Sequence, residues 1–153
     1  MEQAIDSPGS AWFARAGQAD RQRRRATSRA CSPTPWQTPP VRLYHLALAP
    51  DWDAAVAAGE YRVSTIGQTI DDVGFLHASR EDQLQATARR FYADVDVPLV
   101  LLVLDRDRLE AGGVPVRDDP VGDDTFPHLY AALPVDLVDE ARPARLVDGT
   151  LVH

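Results

Sequence analysis

The run LVLLVLD, residues 99–105, constrains the fold more than any other stretch of the chain. Successive apolar residues, bounded by Pro98 and ended by Asp105, show neither the period of an amphipathic helix nor the alternation of a half-solvated strand. Such a run predicts a central strand buried on both faces. A chain of 153 residues is long enough for one domain with a core of this kind and too short for two. The run is also far shorter than the ~20 apolar residues of a membrane helix, so no membrane association is expected.

Around it the pattern is one of short strands and two main helices. VRLYHLAL reads as a strand, and APDWDAAVAAGE as a helix with Pro50 in its first turn, Asp51 and Asp53 at its positive end and Gly59 at its stop. YRVST and GFLHAS read as further strands. Ser79 and Asp82 form an S-x-x-D signature that predicts Ser79 as the cap of a helix over REDQLQATARRFY. Leu84, Ala88 and Phe91 are expected on its apolar face, with Arg80, Gln83 and Arg90 elsewhere. VPVRDD is a strand candidate, FPHLYAAL a strand or tight turn, and Asp148-Gly149 a two-residue hairpin turn near the C-terminus. Many short strands without βαβ alternation predict an α+β domain.

Residues 1–40 differ from the rest. They hold five prolines, no sustained period, and six Arg against three acids, whereas residues 41–153 hold ten Arg against twenty acids. The expectation is a disordered basic, Pro-rich tail over 1–40, bounded by Pro39-Pro40, and a single α+β domain over 41–153. The acidic main domain repels a phosphate backbone and is not expected to bind nucleic acid. All sixteen basic residues are Arg, which excludes lysine-based catalysis. The single Cys31 cannot form an internal disulfide, and a reducing, cytoplasmic setting is the expectation.

Three of the four histidines, His45, His77 and His128, lie in apolar strand-like settings; His153 is terminal. Singly, each reads most simply as a packed imidazole bonded to a backbone carbonyl. Together they mark a candidate site, since burying three imidazoles costs free energy unless their nitrogens are used. Their spacing has no H-x-x-x-H or H-E-x-x-H pattern, and no metal is expected. HAS lacks the Gly-flanked elbow of a nucleophilic serine.

LYHLA, then GFLHAS followed by a helix, then the apolar strand and FPHLY, together resemble the bacterial domain-of-unknown-function family 952. The resemblance runs from about Val41 to the C-terminus. It implies an α+β, ADP-ribosyltransferase-like fold: two small, roughly orthogonal sheets with two main helices, and NAD bound as substrate in the cleft between them. By position it assigns His45 to the cofactor's ribose, His77 and Ser79 to the nicotinamide end near a helix start, and His128 and Tyr130 to the third motif. Where family members carry a Trp-Glu pair, this chain has VRDDPVGDDT, in which Asp118 or Asp119 stands in for the Glu; Asp118 is taken as the catalytic acid. Ala131 replaces a common Gly. The implied function is binding of NAD or a related ADP-ribosyl compound, with transfer or hydrolysis of its ADP-ribose. The alternatives are a non-catalytic nucleotide-binding module that keeps the cleft, and a metal-dependent hydrolase.

Overall fold

The computed structural model describes residues 38–153; the readings made for residues 1–37, including most of the expected tail and Cys31, lie outside the described residues. In chain order the elements begin with β1 (Arg42–Leu48), α1 (Ala49–Ala58), β2 (Glu60–Tyr61), β3 (Val63–Thr65), β4 (Gln68–Thr69) and α2 (Ile70–Val73). Then come β5 (Leu76–His77), α3 (Glu81–Tyr92), β6 (Leu99–Asp105), α4 (Arg106–Ala111), β7 (Val116–Val121) and β8 (Asp124–Leu129). β9 (Leu133–Pro134), a 3-10 turn at Val135–Leu137, β10 (Val138–Val147) and β11 (Thr150–Val152) complete the domain.

The apolar run is indeed central. β6 lies between β1 and β10 in an antiparallel sheet of order β1-β6-β10-β11. Its period-2 alternation feeds two cores. Leu102 and Leu104 pack with Leu43, Leu109, Leu129 and Leu133, while Leu99 and Leu101 pack with Leu46, Leu84, Ala88 and Tyr92. Each fully buried leucine contributes roughly 2 kcal/mol, against at most about 1 kcal/mol for an exposed ion pair such as Arg62–Asp71. Apolar burial on both faces of this sheet therefore holds the framework.

A second antiparallel sheet has the order β5-β8-β7, and β2-β9 and β3-β4 form two further strand pairs. The fold is α+β, with several small antiparallel sheets and four helices among the described residues, more pieces than the two sheets and two main helices expected. Of the two extra helices, α4 falls in RDRLEAGG, which reads from sequence as a short turn or helical piece, while α2 is too short for its period to show. Residues 60–65 divide at Arg62, one half pairing with β9 and the other with β4. The two larger sheets are joined by a bridge between Tyr44 and Ser79, whose backbone groups exchange hydrogen bonds of 2.8 and 2.9 Å. The Ala78 N–H also donates to the Pro127 carbonyl at 2.9 Å. These bonds bring β1, β5 and β8 side by side.

Local chemistry agrees with several sequence readings. α1 has Pro50 and Asp51 in its first turn and stops at Gly59 with φ of 90°. Asp148 and Gly149 both take positive φ between β10 and β11, as a two-residue turn of this type requires. α3 departs from its reading in two ways. Its cap is Arg80 rather than Ser79, because Ser79 is held in the bridge to Tyr44; the Arg80 N–H donates instead to Gln83 Oε1 at 3.1 Å. Its buried face is Leu84, Ala88 and Tyr92, whereas Phe91 is 45% exposed. The Tyr92 hydroxyl reaches the Leu46 carbonyl at 2.6 Å, which satisfies its polar end. Gln83, expected on the polar face, is buried because its amide donates to Asp124 Oδ2 and to the Thr125 carbonyl.

Candidate functional site

His45, His77 and His128 line one cavity of 330 Å3, each from a different strand. Its walls include Tyr44, Leu46, Leu84, Phe91, Tyr92 and Phe126, with Ser64, Ser79, Thr87 and Arg90 as further polar groups. No Asp or Glu is among the residues that line it.

The three imidazoles do different work. His45 is buried, and both of its nitrogens are used within the protein. Nδ1 donates to the His77 carbonyl, which fixes the tautomer and leaves Nε2 to accept from the Tyr61 hydroxyl at 3.2 Å. Burial pushes its pKa down to about 4, opposed by the bond to the His77 carbonyl. His45 is therefore neutral at pH 7 and clamps β1 to β5.

His128 is buried on β8 with its Nδ1 2.8 Å from Asp119 Oδ2. A carboxylate accepts only, so Nδ1 carries the proton and neutral His128 presents a bare Nε2. That Nε2 is buried and has no hydrogen-bond partner. Such a group is costly to leave unmade, by about 1–3 kcal/mol. Phe75 stacks on the same ring at 4.2 Å, and Pro127 restricts the backbone just before it. His77 is half-buried; its Nδ1 lies 2.8 Å from Ser64 Oγ, and its ring meets His128 edge-on with centroids 5.2 Å apart. Burial, then the neighbouring His128, lower its pKa, opposed by a hydrogen bond to the Ser64 backbone.

The remaining expected site residues divide. Ser79 lines the cavity, its hydroxyl 3.1 Å from Thr87 Oγ1. Tyr130 lies outside the lining set and donates to Asp119 Oδ2 at 2.6 Å, so it reaches His128 only through that carboxylate. Asp118 is not with the histidines. Opposite Pro127 on β7, it is paired with Arg106 at 2.7 Å, and Asp119 is the acid that meets His128. The reason is strand alternation, since Arg117 lies directly opposite His128 and residue 119 shares the face of 117. The bonds from Tyr130 and His128 hold the Asp119 carboxyl below the usual range, and the same carboxylate raises the Tyr130 hydroxyl.

Ser64 and Arg90 have no counterpart in the sequence reading. Arg42, Arg80 and Arg117, the arginines near the motifs, are not in the lining set. Arg42 pairs with Asp139 and Arg80 with Asp124, while Arg117 lies 4.9 Å above the Tyr130 ring. Arg90 lines the cavity, is exposed, sits 5.2 Å from the Phe91 ring, and forms no ion pair among the described residues. The start of α3 holds the Asp124 carboxylate through Gln83 and Arg80. Among the described residues no cluster of three or more His, Cys, Asp or Glu has the arrangement to hold a metal ion. No helix among the described residues is long and apolar enough to cross a membrane.

Comparison with known proteins gives one family. Protein CC0527 from Caulobacter crescentus, in its X-ray structure, is similar with a TM-score of 0.61 and 30% identity over 72% of this chain and 93% of that one. The solution NMR structure of CC0527 gives a TM-score of 0.56 and 28% identity, over 72% and 90%. No curated protein matches. The family model described as Protein of unknown function (DUF952) matches residues 46–141, a span that contains GFLHAS and FPHLY and begins one residue after His45. With well over half of its length matched, the chain belongs to the DUF952 family.

Proposed function

We propose that the histidine-lined cavity binds one nucleoside half of NAD or of a related ADP-ribosyl compound, and that the domain is a nucleotide-binding module. The observation that carries this reading is the convergence of three imidazoles on one largely apolar cavity, among them His128, whose buried Nε2 has no hydrogen-bond partner. An acceptor left bare in such a place is satisfied by a ligand's hydroxyl or amide N–H. The aromatic walls, Phe91 and Phe126, suit a flat base or nicotinamide ring. The volume lies at the low end of the ~300–1,000 Å3 of ligand pockets, which favours one half of a dinucleotide over the whole. Arg90 at the rim supplies the cation that a diphosphate needs in an otherwise acidic domain.

Binding without cleavage is favoured over ADP-ribose transfer by the absence of a carboxylate from the lining. Breaking the nicotinamide–ribose bond builds positive charge on the ribose, and an enzyme that does this places a negative group against it. Asp119 is the nearest candidate, and its Oδ2 is already used by His128 and Tyr130. One observation favours the catalytic reading: the same carboxylate orients His128 through Nδ1 and leaves Nε2 as the nitrogen that could take a proton from an attacking hydroxyl. Calorimetric titration with NAD and ADP-ribose, together with chromatography for released nicotinamide, separates the two. Saturable binding without nicotinamide is expected. Release of nicotinamide supports the enzyme, and no heat with either ligand ends the nucleotide reading.

A further inference from the structure

We propose that the cavity-facing side of α3 is a phosphate subsite, in which the Arg90 guanidinium and the Thr87–Ser79 hydroxyl pair hold one phosphoryl group of the ligand. The inference rests on the nucleotide reading for its natural ligand and adds where on the wall that ligand's phosphate sits.

Arg80, Gln83, Thr87 and Arg90 follow one another at helical spacing, so they form one polar stripe along α3, with Arg80 at its cap. The chain supplies an anion to the first pair. Arg80 Nη2 donates to Asp124 Oδ1 at 3.1 Å, and Gln83 Nε2 donates to Asp124 Oδ2 at 2.7 Å. The second pair lines the cavity, where no carboxylate meets it, and Arg90 has no ion pair among the described residues. Thr87 Oγ1 lies 3.1 Å from Ser79 Oγ, which lines the same cavity from just beyond β5. Either hydroxyl can donate in that contact, and the outcome is the same both ways: one bond uses one proton and leaves the other to spare. Hydrogen bonds among the described residues give the spare proton no acceptor. Residues i and i+3 of a helix have Cβ atoms about 5–6 Å apart, so the guanidinium and the hydroxyl pair can serve one small group between them. Arg90 only donates and the hydroxyl pair has a proton to give, so the match is an acceptor with negative charge. A phosphoryl group supplies it: two oxygens take the guanidinium fork and a third takes the hydroxyl. In a domain of ten Arg against twenty acids, an arginine without a carboxylate partner on a carboxylate-free wall is the local exception that binding an anion requires.

The experiment is calorimetry on the full chain at low salt, with inorganic pyrophosphate, adenosine and ADP-ribose as probes. Pyrophosphate is expected to bind saturably and to weaken as salt is raised. Thr87→Val keeps the shape of the side chain and removes its hydroxyl. It should weaken pyrophosphate and ADP-ribose about tenfold and leave adenosine unchanged. Thr87→Ser restores the hydroxyl and should retain the wild-type affinities, which separates hydrogen bonding from packing. Arg90→Gln alters an exposed side chain and carries the same comparison should Thr87→Val fail to fold. Equal pyrophosphate affinity in Thr87→Val and wild type overturns the subsite, as does a loss shared equally by adenosine. If pyrophosphate behaves as expected while neither adenosine nor ADP-ribose binds, the nucleotide reading falls and the phosphate subsite stands. If ADP-ribose binds and pyrophosphate does not, the subsite falls and the nucleotide reading stands. If no probe binds, both fall.

Discussion

Asp119 Oδ2 lies 2.8 Å from His128 Nδ1 and 2.6 Å from the Tyr130 hydroxyl, so one carboxylate oxygen on β7 sets the proton position of an imidazole on β8. Asp119→Asn tests that relationship. An amide can present either an acceptor or a donor to Nδ1, so His128 is expected to populate both tautomers, visible in 15N spectra. ADP-ribose affinity should fall while the melting temperature drops only slightly. An unchanged tautomer in the variant removes the role given to Asp119.

The two buried histidines should respond oppositely to replacement. His45→Phe strands the His77 carbonyl and the Tyr61 hydroxyl, each a buried group costing about 1–3 kcal/mol. Urea unfolding should show a loss of roughly 2–5 kcal/mol, including strain from the larger ring. His128→Phe removes the unpartnered Nε2 together with Nδ1, whose partner Asp119 is partly solvent-exposed and keeps the Tyr130 hydroxyl, so it should be milder in stability and severe in ligand binding. Equal losses of stability would make His128 a structural residue like His45.

Stability should depend on pH through His45. Its folded pKa is about 4 against an ordinary 6.5, so between these values the unfolded chain binds more protons. Stability contributed by the neutral ring is complete above about 6.5 and is lost as pH falls toward 4, by about 3 kcal/mol in all. Asp119 and Asp124, with lowered carboxyl pKa values, continue the decline at lower pH, since each loses its bonded charged form on protonation. Urea midpoints measured across this range check the sign. In His45→Phe the slope between pH 4 and 6.5 should shrink, leaving the smaller part due to His77, whose pKa is also lowered.

Gln83 is the polar pin between α3 and the β7–β8 hairpin, through Asp124, the Thr125 carbonyl and the Arg80 N–H. Gln83→Leu keeps the volume and strands the Thr125 carbonyl, for an expected loss of about 1–3 kcal/mol in thermal or urea unfolding. No loss would mean that solvent reaches these groups.

Arg90→Gln should leave the fold intact and weaken diphosphate ligands more than uncharged nucleosides. The wild-type preference for ADP-ribose over adenosine should shrink several-fold and become less sensitive to salt. Equal effects on the two ligands would remove Arg90 from the site.

The sequence was most legible where chemistry is local. The LVLLVLD run by itself required a strand buried on both faces, Pro50 and Gly59 bounded α1, and Asp148-Gly149 announced the final turn. Phe91 and Tyr92 were harder, because both fit a helical period and only the packing of α3 over β1 chose Tyr92. Asp118 and Asp119 were harder still. Adjacent residues of a strand face opposite ways, and the choice depends on register. A usable signal was present in Gly122-Asp123, a two-residue turn that pairs Val121 with Asp124 and hence Arg117 with His128. Read as a turn, it would have put Asp119 on the histidine face.

Three histidines in apolar strands were evident from the sequence, and so was the strain of burying them. What the order of residues could not hold is which nitrogen meets which partner. That was decided by the bridge from Tyr44 to Ser79 and the register of β7 on β8, contacts between segments tens of residues apart. Proton positions on an imidazole follow from neighbours within about 3 Å, and at that range proximity in space rather than along the chain determines the chemistry.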